Sequence, residues 1–256
     1  MIRSAKRFSL ISPAISRRLS SSLVFSGYCV ESSPEERTRL LVNNVLPGFD
    51  TVDSVNCRLY IHDSLNKTKG AVKLAMMMRN DLNTMARNKT ISSTTQTSAR
   101  LCDKFLKQWL GACFCLDSLE LRRITFDHSS GNVLEKVARG ESVHRVRSLS
   151  ELKRRLHNGR RAFALFHHCL PEEPLVFVHV ALTSNLATSI KQLDVFKDDS
   201  QPTHAMFYSI NSPISALAGL DMGSFLIHEV VGNLQSTFPS LSTFSTLSPI
   251  PTFNHW

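Results

Sequence analysis

Residues 205–251 constrain the fold more than any other stretch, because they alternate strand, loop, helix and strand with sharp punctuation. Ala205-Met-Phe-Tyr-Ser-Ile210 is strand-like, Ser212-Pro-Ile-Ser-Ala-Leu-Ala-Gly219 is a loop of small residues, and Leu220, Gly223, Ile227, Val231 and Leu234 share one helical face. A strand that enters a helix through so short a loop aims backbone N–H groups at one spot. There an anion can be held by amide donors and the helix dipole. The loop Ser215, Ala216, Leu217, Ala218, Gly219, Leu220, Asp221 is therefore a candidate pyrophosphate cradle, with free N–H groups expected from Gly219 to Asp221. Close helix–strand packing would select the same small residues, so pattern alone leaves both readings open. Beyond the helix, Phe244-Ser-Thr-Leu-Ser-Pro-Ile-Pro251 places the hydroxyls of Ser245 and Ser248 at the end of a strand that Pro249 and Pro251 stop. Such hydroxyls can orient a carboxylate or an oxyanion. No G-x-S-x-G elbow accompanies them, so an activated serine nucleophile is not indicated.

The rest of the chain divides by period. Ser33 caps a helix opened by Pro34-Glu-Glu, and Leu74, Met77, Met78, Leu82 and Met85 recur at helical spacing, with Arg79 and Asp81 expected on the opposite face. Residues 88–98, rich in Ser and Thr, read as a loop, and helix resumes at Ala99. After Arg123 the elements shorten. A helix runs through Val133 to Val137, the capping box Ser148-Leu-Ser-Glu151 opens another, and residues 161–166 and 175–182 are strands. The expected domains are a transit peptide over 1–30, disordered; a helical domain over 31–123; and an α/β domain over 124–256.

The formal charge of +9 invites a polyanionic partner, but Arg3, Lys6, Arg7, Arg17 and Arg18 all precede the first acid, Glu31. A basic, Ser-rich, acid-free start of this kind fits a mitochondrial transit peptide. The densest remaining cluster, Arg145, Arg147, Lys153, Arg154, Arg155, Arg160 and Arg161, could attract phosphate, yet it lacks the interleaved aromatics of a nucleic-acid surface and reads as a solvated face. The most apolar window, 174–182, is far below the roughly 20 residues of a membrane span. No nucleic-acid or membrane partner is expected. The six cysteines show no framework spacing, and neither Cys113/Cys115 nor His167-His168-Cys169 has ligand spacing, so no metal is expected. His144 and His179 are the histidines a mechanism could recruit, and a structural role suits each as well.

Leu119-Glu-Leu-Arg-Arg-Ile-Thr125, Glu141-Ser-Val-His144, Glu173-Pro-Leu-Val176 with His179-Val-Ala-Leu182, Phe207-Tyr-Ser-Ile210 and Ser248-Pro-Ile-Pro251, in that order, resemble the malonyl-CoA decarboxylase family, its plant members most. The resemblance runs from about Val72 to Pro251. It implies an α+β multidomain fold: an all-helical N-terminal region used for homo-oligomerisation, here shortened, then an incomplete N-acetyltransferase-like, acyl-CoA-binding catalytic domain. It also implies release of CO2 from malonyl-CoA to give acetyl-CoA, without metal or organic cofactor. Residues Ser215 to Asp221 match the family's loop for the coenzyme A pyrophosphate, and Ser245 matches its catalytic serine, with Ser248 as runner-up. The family's catalytic histidine has no counterpart up to Trp256, and Ala216 stands where relatives carry Gly. The expectation is accordingly a C-terminally truncated member with little or no decarboxylase activity, mitochondrial, or alternatively peroxisomal or cytoplasmic. Two other roles fit the same residues: an acyl-CoA binder or acyltransferase, and a non-catalytic helical assembly partner.

Overall fold

The computed structural model describes residue 28 and residues 32–49, 54–157, 159–195 and 201–247. The expected leader, apart from Tyr28, lies outside them, as does Ser248. The chain divides into two compact units between Cys113 and Phe114.

Described elements of the first unit are helical: α1 (Pro34–Leu40), continued by a π turn (Leu41–Val45) and a 3-10 turn (Leu46–Gly48), then α2 (Ser54–Lys67), α3 (Ala71–Arg87) and α4 (Ser93–Cys113). The Ser33–Glu36 capping box closes as expected. Helix α3 buries Leu74, Met78, Leu82 and Met85, and α4 buries Cys102, Leu106 and Leu110. Three expectations change here. Residues 93–98 are the first turns of α4, because Ser and Thr hydroxyls can bond back into a helix: Thr97 Oγ1 donates to Ser93 O at 2.9 Å. Arg79 is buried, held by Asp103 (Nε···Oδ1 2.8 Å), which charge pairing makes tolerable. Tyr28, inside the expected leader, is buried and donates to Asp81 Oδ2, which also accepts from Arg37 Nε at 2.7 Å.

The second unit is a five-stranded mixed sheet in sequential order: β1 (Leu119–Ile124), β2 (Arg160–His167), β3 (Val176–Thr183), β4 (His204–Asn211) and β5 (Thr243–Thr246). Residues 119–123, expected at the end of the helical region, belong to β1 instead; a short segment without a cap pairs more readily with β2 than it extends a helix. The β1–β4 pairs are antiparallel, and β4–β5 is parallel. Helices α5 (Gly131–Gly140) and α6 (Leu149–Leu156) pack Val133, Val137, Leu152 and Leu156 onto Ala162, Ala164, Phe166 and Phe177. A short α7 (Ile190–Val195) lies in the polar connection before β4. Helix α8 (Gly223–Thr237) covers the other face, where Arg161 sits over the ring of Phe238 just beyond it (5.6 Å). Strand β3 is buried along its whole length.

Candidate functional site

A bulge in β4 shapes the site. Opposite His179 lies Ser209, but opposite Val180 lies Phe207, so Tyr208 has no partner on β3. One extra residue shifts the alternation by one step, and Met206, Tyr208, Ser209 and Asn211 all face the α5–α6 side together with Arg160 and His179. Ser245 pairs with Met206 in the parallel register, which puts it on this same face.

Beneath the bulge is a sealed polar network. Glu141, 2% exposed at the end of α5, accepts from the Val143 N–H (3.0 Å), the His144 N–H (2.9 Å) and the Ser209 hydroxyl (2.7 and 2.8 Å to its two oxygens). Asn211 donates to Ser209 Oγ at 2.7 Å and accepts from the Ser142 N–H at 3.0 Å. His179 Nε2 stands 3.4 Å from Glu141 Oε2 without aligning for a hydrogen bond, its ring stacked on Tyr208 and edge-on to Phe177. Burial lowers the His179 pKa to about 4, against the pull of the Glu141 charge, so the ring is neutral at pH 7. For Glu141, burial works to raise the pKa but is outweighed by its donors, the His144 N–H and Ser209 foremost, and by His179; the net direction is downward.

The loop after β4 only partly matches its expected role. Ala216 and Leu217 are buried in a 3-10 turn (Ser215–Leu217), so their size serves packing. The N–H groups of Leu217, Ala218 and Leu220 are taken by Ile214 O, Ser215 O and Leu217 O, which removes Leu220 from the expected donors. Ser215, Ala218, Gly219 and Asp221 are exposed. Gly219 has φ +80°, a left-handed conformation that a side chain would strain. Met222, the N-cap of α8, offers no side-chain acceptor, leaving the first-turn N–H groups of Gly223, Ser224 and Phe225 to outside partners. Asp221 accepts from Ser224 Oγ at 3.1 Å and draws its charge toward this helix start. Gly140 brings the end of α5 against the loop: a Cβ there would meet Pro213 Cβ at 2.8 Å.

The sequence missed the Glu141–Ser209–His179–Asn211 network, since its members are spread over 70 residues and only the antiparallel β3–β4 register joins them. The solvated arginine face also needs correcting in part: Arg155 is buried, donating to Glu151, to His144 O and to Arg145 O, and Arg160 donates to Leu193 O. His167, His168 and Cys169 hold one ligand atom each within 4.8 Å of the others, although His167 Nδ1 already accepts from the Cys169 N–H at 3.2 Å.

These features define an α+β protein whose mixed sheet ends in a parallel pair beside an open helix start. Residues 117–256 match the model of the malonyl-CoA decarboxylase C-terminal domain. The mitochondrial malonyl-CoA decarboxylases of Rattus norvegicus and Anser anser anser are 34% and 35% identical over 198 and 199 residues, 75% of this chain in each case. Those stretches are 39% and 38% of the relatives' own lengths. Crystal structures of malonyl-CoA decarboxylase from Rhodopseudomonas palustris (27% identity, TM-score 0.73) and Cupriavidus metallidurans (25%, 0.74) cover 95% and 96% of the chain, which spans 67% and 65% of them. The chain belongs to the malonyl-CoA decarboxylase family.

Proposed function

We propose that this chain binds a coenzyme A thioester at the β4–α8 loop and serves the decarboxylation of malonyl-CoA to acetyl-CoA and CO2. The observation that carries the reading is the joint geometry of an uncapped α8 start, the left-handed Gly219 and the parallel β4–β5 pair bearing Ser245. Phosphates meet N–H donors and a helix dipole at the first of these. The five-stranded mixed sheet of the second unit is proposed to be the N-acetyltransferase-like, acyl-CoA-binding domain that the family resemblance implies.

Loss of CO2 leaves an enolate on the thioester, so catalysis needs donors for the oxyanion and an acid for the carbon. Ser245, on the face of the bulge, is proposed to orient the departing carboxylate or donate to the oxyanion, with Ser248 as the alternative hydroxyl. His179 is neutral and fully buried, which makes it a support for Tyr208 rather than the acid. No metal or organic cofactor is needed for this chemistry, since the thioester itself delocalises the carbanion. The helical unit is proposed to mediate homo-oligomerisation, and the mitochondrion, named for the curated relatives, is the proposed location, ahead of peroxisome or cytoplasm.

Calorimetry with coenzyme A tests the binding step: Gly219→Val is expected to weaken it at least tenfold. Little or no release of acetyl-CoA and CO2 from malonyl-CoA by the purified chain is the expected result; steady release that Ser245→Ala lowers would overturn that expectation and extend the reading to catalysis. Binding without CO2 release confines this chain to substrate binding, and no coenzyme A binding at all overturns the proposal.

A further inference from the structure

Beside the bulge, the segment 141–147 and helix α6 line an open pocket of about 630 Å³ on the α5–α6 side of the sheet. Its walls carry five arginines, Arg145, Arg147, Arg154, Arg155 and Arg160, and one carboxylate, Glu151. Glu151 is committed twice, to Arg155 and to the Arg147 N–H at 2.9 Å. Arg160 lies over the Tyr208 ring at 5.4 Å. Among the described residues, the guanidinium groups of Arg145, Arg147 and Arg154 have no hydrogen-bond or ion-pair partner.

The wall is fixed from both sides. Buried Glu141 holds the N–H groups of Val143 and His144, while buried Arg155 holds the carbonyls of His144 and Arg145. Preorganised backbone carrying cations without close ion-pair partners around a cavity is the arrangement of an anion site. The volume suits a ligand of nucleotide size. A reacting carboxylate is a poor occupant: arginines would stabilise its ground state and oppose loss of CO2. A phosphate, which carries more charge and does not react, is the better match to bidentate guanidinium groups.

We propose that this pocket binds the phosphate group of a phosphorylated small molecule, through Arg145, Arg147 and Arg154. The ligand is either the 3′-phosphate end of coenzyme A or a separate phosphorylated effector. Phosphate binding in this pocket stands apart from the β4–α8 loop reading, whereas its coenzyme A source rests on it.

Calorimetry on the full chain with pyrophosphate, coenzyme A and dephospho-coenzyme A tests it, using Arg145→Ala/Arg147→Ala/Arg154→Ala, the corresponding triple Lys variant and Gly219→Val. The expected result is pyrophosphate binding that falls at least tenfold in the triple Ala variant, is largely kept with Lys, and persists in Gly219→Val. All three arginines are exposed, and unchanged circular dichroism would exclude misfolding. If coenzyme A also weakens tenfold in the triple Ala variant while dephospho-coenzyme A does not, the source is the 3′-phosphate. If only pyrophosphate weakens, the source is a separate effector. Pyrophosphate that fails to bind, or binds the triple Ala variant as tightly as the wild type, or is lost in Gly219→Val but kept in the triple Ala variant, overturns the proposal.

Discussion

Glu141 shows how much one residue decides. A buried carboxylate is tolerable only with several donors, and here it has two backbone N–H groups and a hydroxyl. Ser209→Ala removes one donor to Glu141 and one acceptor of Asn211 Nδ2, so it should cost about 1–3 kcal/mol in urea denaturation. The adjacent His179 makes stability depend on pH. Its folded pKa of about 4 lies below the ordinary histidine value of 6.5, so the unfolded chain binds the proton first as pH falls. The stability it contributes is complete above about pH 6.5 and is lost between there and about pH 4, on the order of 3 kcal/mol in all. Glu141, also shifted downward, adds a loss at still lower pH, as its carboxylate is protonated. Melting temperatures measured from pH 8 to pH 4 should fall across this window, and His179→Phe should flatten its upper half; an unchanged profile would contradict the assignment.

At the scale of elements, caps and close contacts set the frame around the site. Ser148 Oγ accepts from the Glu151 N–H at 3.1 Å and Glu151 returns the bond to Arg147, so Ser148→Ala should destabilise by about 1 kcal/mol and loosen the arginine wall. Gly140→Ala should cost about 1–3 kcal/mol, because the new methyl meets Pro213 and Phe177 at 2.8 and 3.0 Å. That substitution should also weaken coenzyme A binding by pushing the loop away, and Ser148→Ala should weaken pyrophosphate binding at the arginine wall; thermal shift and calorimetry on the same two variants check both. The strands of residues 161–166 and 175–182 and the existence of α8 were legible because their signals are local: apolar and aromatic runs bounded by turns, and apolar residues at helical spacing. The face that α8 buries is Leu226, Val230 and Leu234, one step from the expected Gly223, Ile227 and Val231, because packing on the sheet decides which of two apolar rows turns inward. Residues 119–123 and 93–98 were not legible, since a short charged strand and a hydroxyl-rich helix start are decided by their neighbours.

Across the whole molecule, the order of elements sufficed to indicate an α+β chain, because each element's signal lies in residues close in sequence, and the ordered motifs from Leu119 to Pro251 carried the resemblance to the family. The seven loop residues and Ser245 were legible as chemistry but not as geometry. Only the folded chain decided that Ala216 and Leu217 point into the core, that the Leu220 N–H is already used, and that one unpaired residue at Tyr208 turns Ser209 and Asn211 toward Glu141. Capping, turn chemistry and periodicity act over a few residues and can be read along the chain. Strand register, burial and the pairing of charges such as Arg79 with Asp103 act between residues far apart in sequence, and exist only once packing has brought them together.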